Sequence, residues 1–214
     1  DLEFGWHKKL LLSDIQSTVV GSLDGSKFSR MTRLELEPVR PNTYITPDGG
    51  FIFVKVDGKN TYPVLNDVSV FTSKSATLME YILRVNDEEV WHDSSDGVII
   101  STPTGSSAYS LSAGGPIIFQ ASNVFGIISV NSLDITRRPI IVSDNSIIEI
   151  DEISSRLHCD VVLDGIDRFK INNKLEATKF TPSARIIRMK ADSTAVSALA
   201  NKVKLAEELL SMPP

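Results

Sequence analysis

From Phe51 onward the chain is a series of short apolar runs, each stopped by turn residues before it reaches helical length. Residues 51–56, 68–71, 77–85, 88–91, 97–100, 124–130, 147–150, 161–163, 169–171, 175–180 and 184–189 hold most of the Val, Ile, Leu and Phe of this region. Asp57-Gly58 and Asn86-Asp87 are hairpin dipeptides, because both residues of each pair tolerate the positive φ that a tight β-turn needs. Many short strands at this spacing restrict the chain to an all-β architecture, and we expect a mainly β, multistranded β-sandwich.

The two ends read differently. From Ser13, Ile15, Val19 and Leu23 recur at four-residue spacing with Ser13 as cap, which predicts a helix weakened by Gly21 and ended by Gly25. Residues 27–39 then alternate, Leu34 and Leu36 against Arg33, Glu35 and Glu37, as in a strand stopped by Pro38 and Pro41. At the other end, Ser193 or Thr194 caps an expected helix with Val196, Leu199, Val203, Ala206 and Leu210 on one face. The chain thus divides into a connecting segment and helix at 1–25, a β-sandwich at 26–190 and a C-terminal helix at 191–214.

Two polar features interrupt the apolar pattern. Asn66-Asp67 follows Val64-Leu65 and precedes Val68-Ser69-Val70-Phe71, so two poor strand formers sit inside or at the end of a strand. Such a local conflict points to a site. The second feature is the stretch 96–118, where the strand at 97–100 stops at Ser101-Thr102-Pro103. Pro103 and Gly105 impose a turn, Ser106 is positioned to cap, a short helix is expected over 107–112, and Gly114-Gly115-Pro116 ends it. Between strand and helix lie free amides, several hydroxyls and Tyr109, a set able to bond nucleotide edges, ribose and phosphate and to stack on a base. His92 to Ser95 reads as a polar loop leading into Asp96.

Composition removes several classes. With a net charge of −5, broad nucleic-acid or anionic-membrane binding is not expected. No apolar run approaches the roughly 20 residues of a membrane helix. A single cysteine, Cys159, forbids an intrachain disulfide, and His7, His92 and His158 stand far apart, so no metal cluster is expected. Neither a Gly-x-Ser-x-Gly elbow, nor a P-loop with its lysine, nor Gly-x-Gly-x-x-Gly occurs. A cytoplasmic location is the expectation, with no secretion signal in these residues.

Asp96-Gly97, Ser101-Thr102-Pro103-Thr104-Gly105-Ser106-Ser107-Ala108-Tyr109 and Leu111-Ser112-Ala113-Gly114-Gly115-Pro116-Ile117 together closely resemble the signature of the NAD kinases, with Ser107 in place of the usual threonine. Asn66-Asp67 resembles the family's Asn-acid pair, with Asp67 where glutamate is more usual. Arg138-Pro139 before residues 140–142 and the turn Leu163-Asp164-Gly165 resemble two further family elements. The resemblance implies the C-terminal β-sandwich of an enzyme that phosphorylates the 2′-hydroxyl of the adenosine ribose of NAD to give NADP. ATP or polyphosphate would be the donor, with a divalent metal, magnesium by expectation. The family's Gly-Gly-Asp-Gly motif, which carries the expected catalytic aspartate of an N-terminal α/β domain, is not in this sequence.

On the same resemblance, Asn66 and Asp67 bond ribose and neighbouring phosphate or nicotinamide atoms. Thr102, Thr104, Ser107, Ala108 and Tyr109 surround the adenine half, and Asp96 accepts from the nicotinamide carboxamide or, as a lesser alternative, serves as a base. Family members assemble as homodimers or homotetramers. A related lipid or sugar kinase and a non-catalytic dinucleotide-binding module are the alternative readings.

Overall fold

The computed structural model describes residues 17–24, 27–35, 44–46, 50–180 and 186–188. In chain order the strands are β1 (Ser17–Asp24), β2 (Lys27–Glu35), β3 (Tyr44–Thr46), β4 (Phe51–Val56), β5 (Lys59–Asn60), β6 (Asp67–Thr72), β7 (Met79–Val85) and β8 (Glu88–Ser95). They continue with β9 (Gly97–Ser101), β10 (Val124–Val130), β11 (Ile140–Ser143), β12 (Ile148–Ser155), β13 (Cys159–Leu163), β14 (Asp167–Ile171), β15 (Leu175–Phe180) and β16 (Ile186–Arg188). Between β9 and β10 lie a 3₁₀ turn at Gly105–Ser107 and a one-turn helix α1 (Tyr109–Ser112).

The hairpins form where turn chemistry demands them. Asp57 and Gly58 take φ of 48° and 78°, and Asn86 and Asp87 take 54° and 67°, the positive pairs of two-residue turns. Two antiparallel six-stranded sheets result, with strand orders β11-β10-β9-β6-β13-β14 and β5-β4-β15-β12-β7-β8. The expected mainly β architecture is the one observed. Between the sheets lie Val68, Val70, Val98, Ile100, Phe125, Ile127, Val161 and Leu163 from the first sheet. Ile52, Val54, Tyr81, Leu83, Ile148, Ile150 and Leu175 face them from the second. Each large side chain buried in this way stabilises the fold by about 1.5–3 kcal/mol over leaving it exposed.

Alternation along the first sheet fixes what its other face presents. Since Val68 and Val70 point into the core, Asp67, Ser69 and Phe71 point out, and Gly97, Ile99 and Ser101 do the same on β9. Residues 102–118 fold back over part of this outer face. A Cβ on Gly115 would lie 2.3 Å from Ile128 Cδ1, and one on Gly126 would lie 3.3 Å from Ile118 Cδ1, so glycine permits the close approach. Ser106 pins the two ends of the segment, its Oγ donating to Pro103 O at 2.7 Å and accepting from Ile118 N at 2.9 Å.

Several local expectations are corrected. Where the spacing of Ile15, Val19 and Leu23 predicts a helix, β1 occupies Ser17–Asp24 and pairs with β2, because the β-branched Thr18-Val19-Val20 run suits a strand and Gly21 disfavours a helix. The strand expected at 27–39 is β2, ending at Glu35. His92 to Ser95 is strand, not loop, with Asp93 and Ser95 turned inward. Val64, which precedes the Asn66-Asp67 pair, makes only an isolated bridge to Ile52. The helix expected over 107–112 splits at Ala108, and Ser106 does not cap it. The helix expected at 191–214, together with His7, lies outside the described residues.

The chain separates into two compact units: β3, β16 and most of β1 and β2 in one, residues 50–180 in the other. No helix among the described residues is long and apolar enough to cross a membrane.

Candidate functional site

The part of the first sheet's outer face that residues 102–118 leave uncovered is a cavity of about 610 Å³, within the usual range for a small-molecule site. Its floor is the outward row Asp67, Ser69 and Phe71 of β6 with Val162 of β13. One wall is Ala108 and Tyr109, another is Asp96 with Val130 and Asn131, and the far rim is the β6–β7 loop and the β13–β14 turn.

Asn66 and Asp67 are placed by a residue from the other end of the sequence. Asp164, at φ 50° in the β13–β14 turn, accepts backbone N–H groups from Leu65 at 2.9 Å and Asn66 at 2.6 Å, and a longer one from Asp67 at 3.3 Å. In return the Asp164 N–H donates to Asp67 O at 2.9 Å. From the opposite side, Thr102 donates its Oγ1 to Leu65 O at 2.6 Å and its N–H to Asn66 O at 2.9 Å. Gly105 seats the 3₁₀ turn on the same peptide, since a Cβ there would fall 1.9 Å from Asn66 O. The Asn-acid pair is therefore clamped by backbone bonds, which leaves its side chains for the cavity.

The electrostatics follow from that clamp. Asp67 is 5% exposed, and its carboxylate accepts no hydrogen bond among the described residues. Burial, with the neighbouring Asp164 carboxylate adding to it, pushes its pKa up to about 6. Asp96 accepts from Asn131 Nδ2 at 2.9 Å through Oδ2, leaving Oδ1 without a partner among the described residues. Positive charge reaches the cavity wall from Lys74 on the β6–β7 loop and from Arg168 on β14, the latter also 3.2 Å from Asp160.

Tyr109 is 46% exposed, and its ring lies 5.7 Å from that of Phe71 at an interplanar angle of 31°. Phe71 in turn rests on Gly97, where any Cβ would meet the ring at 2.4 Å. The two rings are in contact at a tilt, and the exposed part of the Tyr109 ring is left able to stack on a flat heterocycle.

Of the residues singled out in the sequence, Asn66, Asp67, Asp96, Ala108 and Tyr109 meet at this cavity. Thr102, Thr104 and Ser107 are not among its lining residues. Thr102 is fully buried, its hydroxyl accepting from Gly105 N at 3.0 Å as well as donating to Leu65 O. Ser107 Oγ donates to Thr104 O at 3.4 Å, and Thr104 Oγ1 is buried. Sequence reasoning did not single out Ser69, Phe71, Lys74, Asn131 and Arg168, or Asp164 as a site residue. Alternation from Val68 and Val70 carried the signal for Ser69 and Phe71, whereas Lys74, Asn131 and Arg168 carried none.

Asp164 has both oxygens committed to backbone N–H groups, and among the described residues no three His, Cys, Asp or Glu side chains stand together as ligands.

Residues 65–187, more than half of the chain, match the ATP-NAD kinase C-terminal domain family. The NAD kinase of Methanopyrus kandleri is 36% identical over 135 residues, covering 63% of this chain and 49% of the relative. That of Chlorobium phaeobacteroides is 33% identical over 153 residues, covering 71% and 50%. The chain spans about half the length of the curated relatives it matches. Among solved structures, the NAD kinase of Archaeoglobus fulgidus in complex with ATP aligns with a TM-score of 0.64 at 26% identity, covering 75% of this chain and 60% of that one. Yeast NADH kinase complexed with NADH aligns with a TM-score of 0.62 at 20% identity over 72% of this chain and 50% of that one, a likeness of fold.

Proposed function

The chain belongs to the ATP-NAD kinase C-terminal domain family, and we propose that its cavity is the dinucleotide site of an NAD kinase, which phosphorylates the 2′-hydroxyl of the adenosine ribose of NAD. The observation that carries the reading is the convergence of Asn66, Asp67, Asp96, Ala108 and Tyr109 on one cavity from three separate parts of the sequence. An adenine would stack on the exposed part of the Tyr109 ring, which Phe71 backs. Asn66 and the ionised Asp67 would hold ribose hydroxyls, with Asp67 accepting only. Oδ1 of Asp96 would accept from the carboxamide, and Lys74 and Arg168 would face the diphosphate.

Such contacts bind and orient, and in a phosphoryl transfer orientation of the acceptor hydroxyl supplies much of the acceleration. The phosphoryl group would come from ATP or polyphosphate with its divalent metal. We assign neither the metal nor the general base to residues of this chain. A cytoplasmic, homo-oligomeric enzyme belongs to the same proposal.

The test is a calorimetric titration of NAD into the full chain, beside Tyr109→Ala. Losing a stacked base costs about 1–3 kcal/mol, so the variant should bind roughly ten- to a hundredfold more weakly. An absence of saturable heat from the folded wild type, or equal affinity in the variant, refutes the assignment.

A further inference from the structure

Behind the wall that carries Asp96 lies a polar cluster that does not line the cavity. Asp93 faces inward from β8 and is 4% exposed. Its Oδ2 accepts from Tyr81 Oη at 3.2 Å and from Ser129 Oγ, and its Oδ1 accepts from Ser132 Oγ at 2.6 Å. Arg137 Nε stands 3.6 Å from the same Oδ1, while the guanidinium lies 5.1 Å from the Trp91 ring centre and donates to His92 O at 2.7 Å. Tyr81 and Asp93 belong to the second sheet and Ser129 to the first, so the cluster bridges the sandwich.

A carboxylate buried this deeply is tolerated only where its lone pairs are met. Burial alone would raise the pKa of Asp93, but the hydroxyls of Ser129, Ser132 and Tyr81 outweigh it and hold the group below its ordinary value. Apolar side chains would join two sheets at least as well. What a carboxylate adds is direction, and the direction here is specific: Ser129 and Ser132 bracket Asn131. That residue sits in the left-handed region at φ 51°, and its Nδ2 donates to Asp96 Oδ2 at 2.9 Å. Two backbone bonds complete the brace, Asp96 N to Val130 O and Leu133 N to Ser94 O, both at 2.9 Å. Ser132 Oγ also accepts from Asp134 N at 3.0 Å, so the hydroxyl orders the turn that follows.

We propose that Asp93 is a positioning residue: through Ser129 and Ser132 it fixes Asn131, and through the Asn131 amide it sets the orientation of the Asp96 carboxylate on the cavity wall. The consequence for ligand affinity rests on the dinucleotide reading above, whereas the positioning itself does not.

Two measurements on the full chain separate these. In the first, NMR follows the Asn131 side-chain amide in the ligand-free protein, assigned by its disappearance in Asn131→Ala. Ser132→Ala should move this signal toward that of an unbonded amide, and Ser132→Thr, which keeps the hydroxyl, should leave it in place. Ser129→Ala provides a second cut in the same route if Ser132→Ala does not fold. In the second, NAD affinity should fall about two- to tenfold in Ser132→Ala and be kept in Ser132→Thr. The same change in an Asn131→Ala background should have little further effect, because the route is already severed. An unmoved amide signal overturns the proposal, as does an equal loss of affinity in both backgrounds, which would mark Ser132 as general scaffold. If the wild type binds no NAD, the dinucleotide reading falls and the amide signal still decides the role of Asp93.

Discussion

Asp164 is the residue whose replacement tests the site's construction most directly, and Asp164→Asn is the informative change because asparagine tolerates the turn's φ of 50°. The carboxylate accepts from Leu65 N through one oxygen and from Asn66 N and Asp67 N through the other. An amide keeps one acceptor and turns the other into a donor facing an N–H group. One charge-assisted bond is lost, worth about 1.5–3 kcal/mol, and two are weakened to neutral ones at about 0.5–1 kcal/mol each, for a gross cost of about 3–4 kcal/mol. Removing the charge also relieves Asp67. Its pKa is raised to about 6 first by burial and only second by Asp164, so the relief is under half of the shift, that is, below about 1.5 kcal/mol and of the order of 1 kcal/mol.

The relief exists only where Asp67 is ionised. The net loss should therefore be about 2–3 kcal/mol near pH 8 and about 1 kcal/mol larger near pH 5, where Asp67 is largely protonated in the wild type. Urea unfolding at both pH values measures this, read from the slope and midpoint of the transition. A loss below about 0.5 kcal/mol at both, or a larger loss at the higher pH, would refute the clamp.

Asp67 itself gives a second pH test. Its folded pKa lies above its ordinary value, so the folded state binds the proton more tightly, and stability from this group falls as pH rises from about 4 through about 6. Asp67→Asn should remove that decline; parallel Tm curves for wild type and variant across the window would contradict it. Gly105→Ala places a Cβ 1.9 Å from Asn66 O and 2.3 Å from Asn66 C, backbone atoms that cannot turn aside. It should cost about 3 kcal/mol or more and abolish NAD binding in whatever folds. Gly114→Ala, at φ 85° with open space around the Cβ, should cost only about 1–2 kcal/mol by thermal unfolding, leaving binding unchanged.

How far the sequence disclosed this structure depends on how local each cause is. The hairpins at Asp57-Gly58 and Asn86-Asp87 were legible because the residues that need positive φ are the ones that make the turn. Asp93 was not legible as an inward strand residue, since a polar side chain in an alternating segment reads as loop or surface. Its burial rests largely on partners 36 and 39 residues away, Ser129 and Ser132. The same distance hid Asp164, which acts on backbone 97 to 99 residues earlier. At β1 the failure had a different source: four-residue spacing and β-branched composition pointed to different structures, and pairing with β2 decided between them.

The motif at 101–109 shows why a hydroxyl-rich segment is an ambiguous sign. Thr102 and Ser106 are fully buried and bond Leu65 O, Gly105 N, Pro103 O and Ile118 N, all backbone atoms of the segment or of its neighbour. What this segment shows to the cavity is Ala108 and Tyr109. A tight chain reversal over a sheet leaves backbone groups that water cannot reach, and short hydroxyl side chains are the smallest groups able to satisfy them. The density of serine and threonine therefore records first the construction of the turn. Ligand chemistry at such a turn resides in the residues that the bonded hydroxyls hold in place, here the Asn66-Asp67 backbone on one side and the Tyr109 ring on the other. For the same reason Thr102→Val, which keeps the side chain's shape and removes its hydroxyl, should lower stability and NAD affinity together, since it loosens Leu65 and Gly105 at once. A loss of affinity with unchanged stability would mean that Thr102 contacts the ligand directly, and the hydroxyls of this segment would then have to be reassigned from the turn to the site.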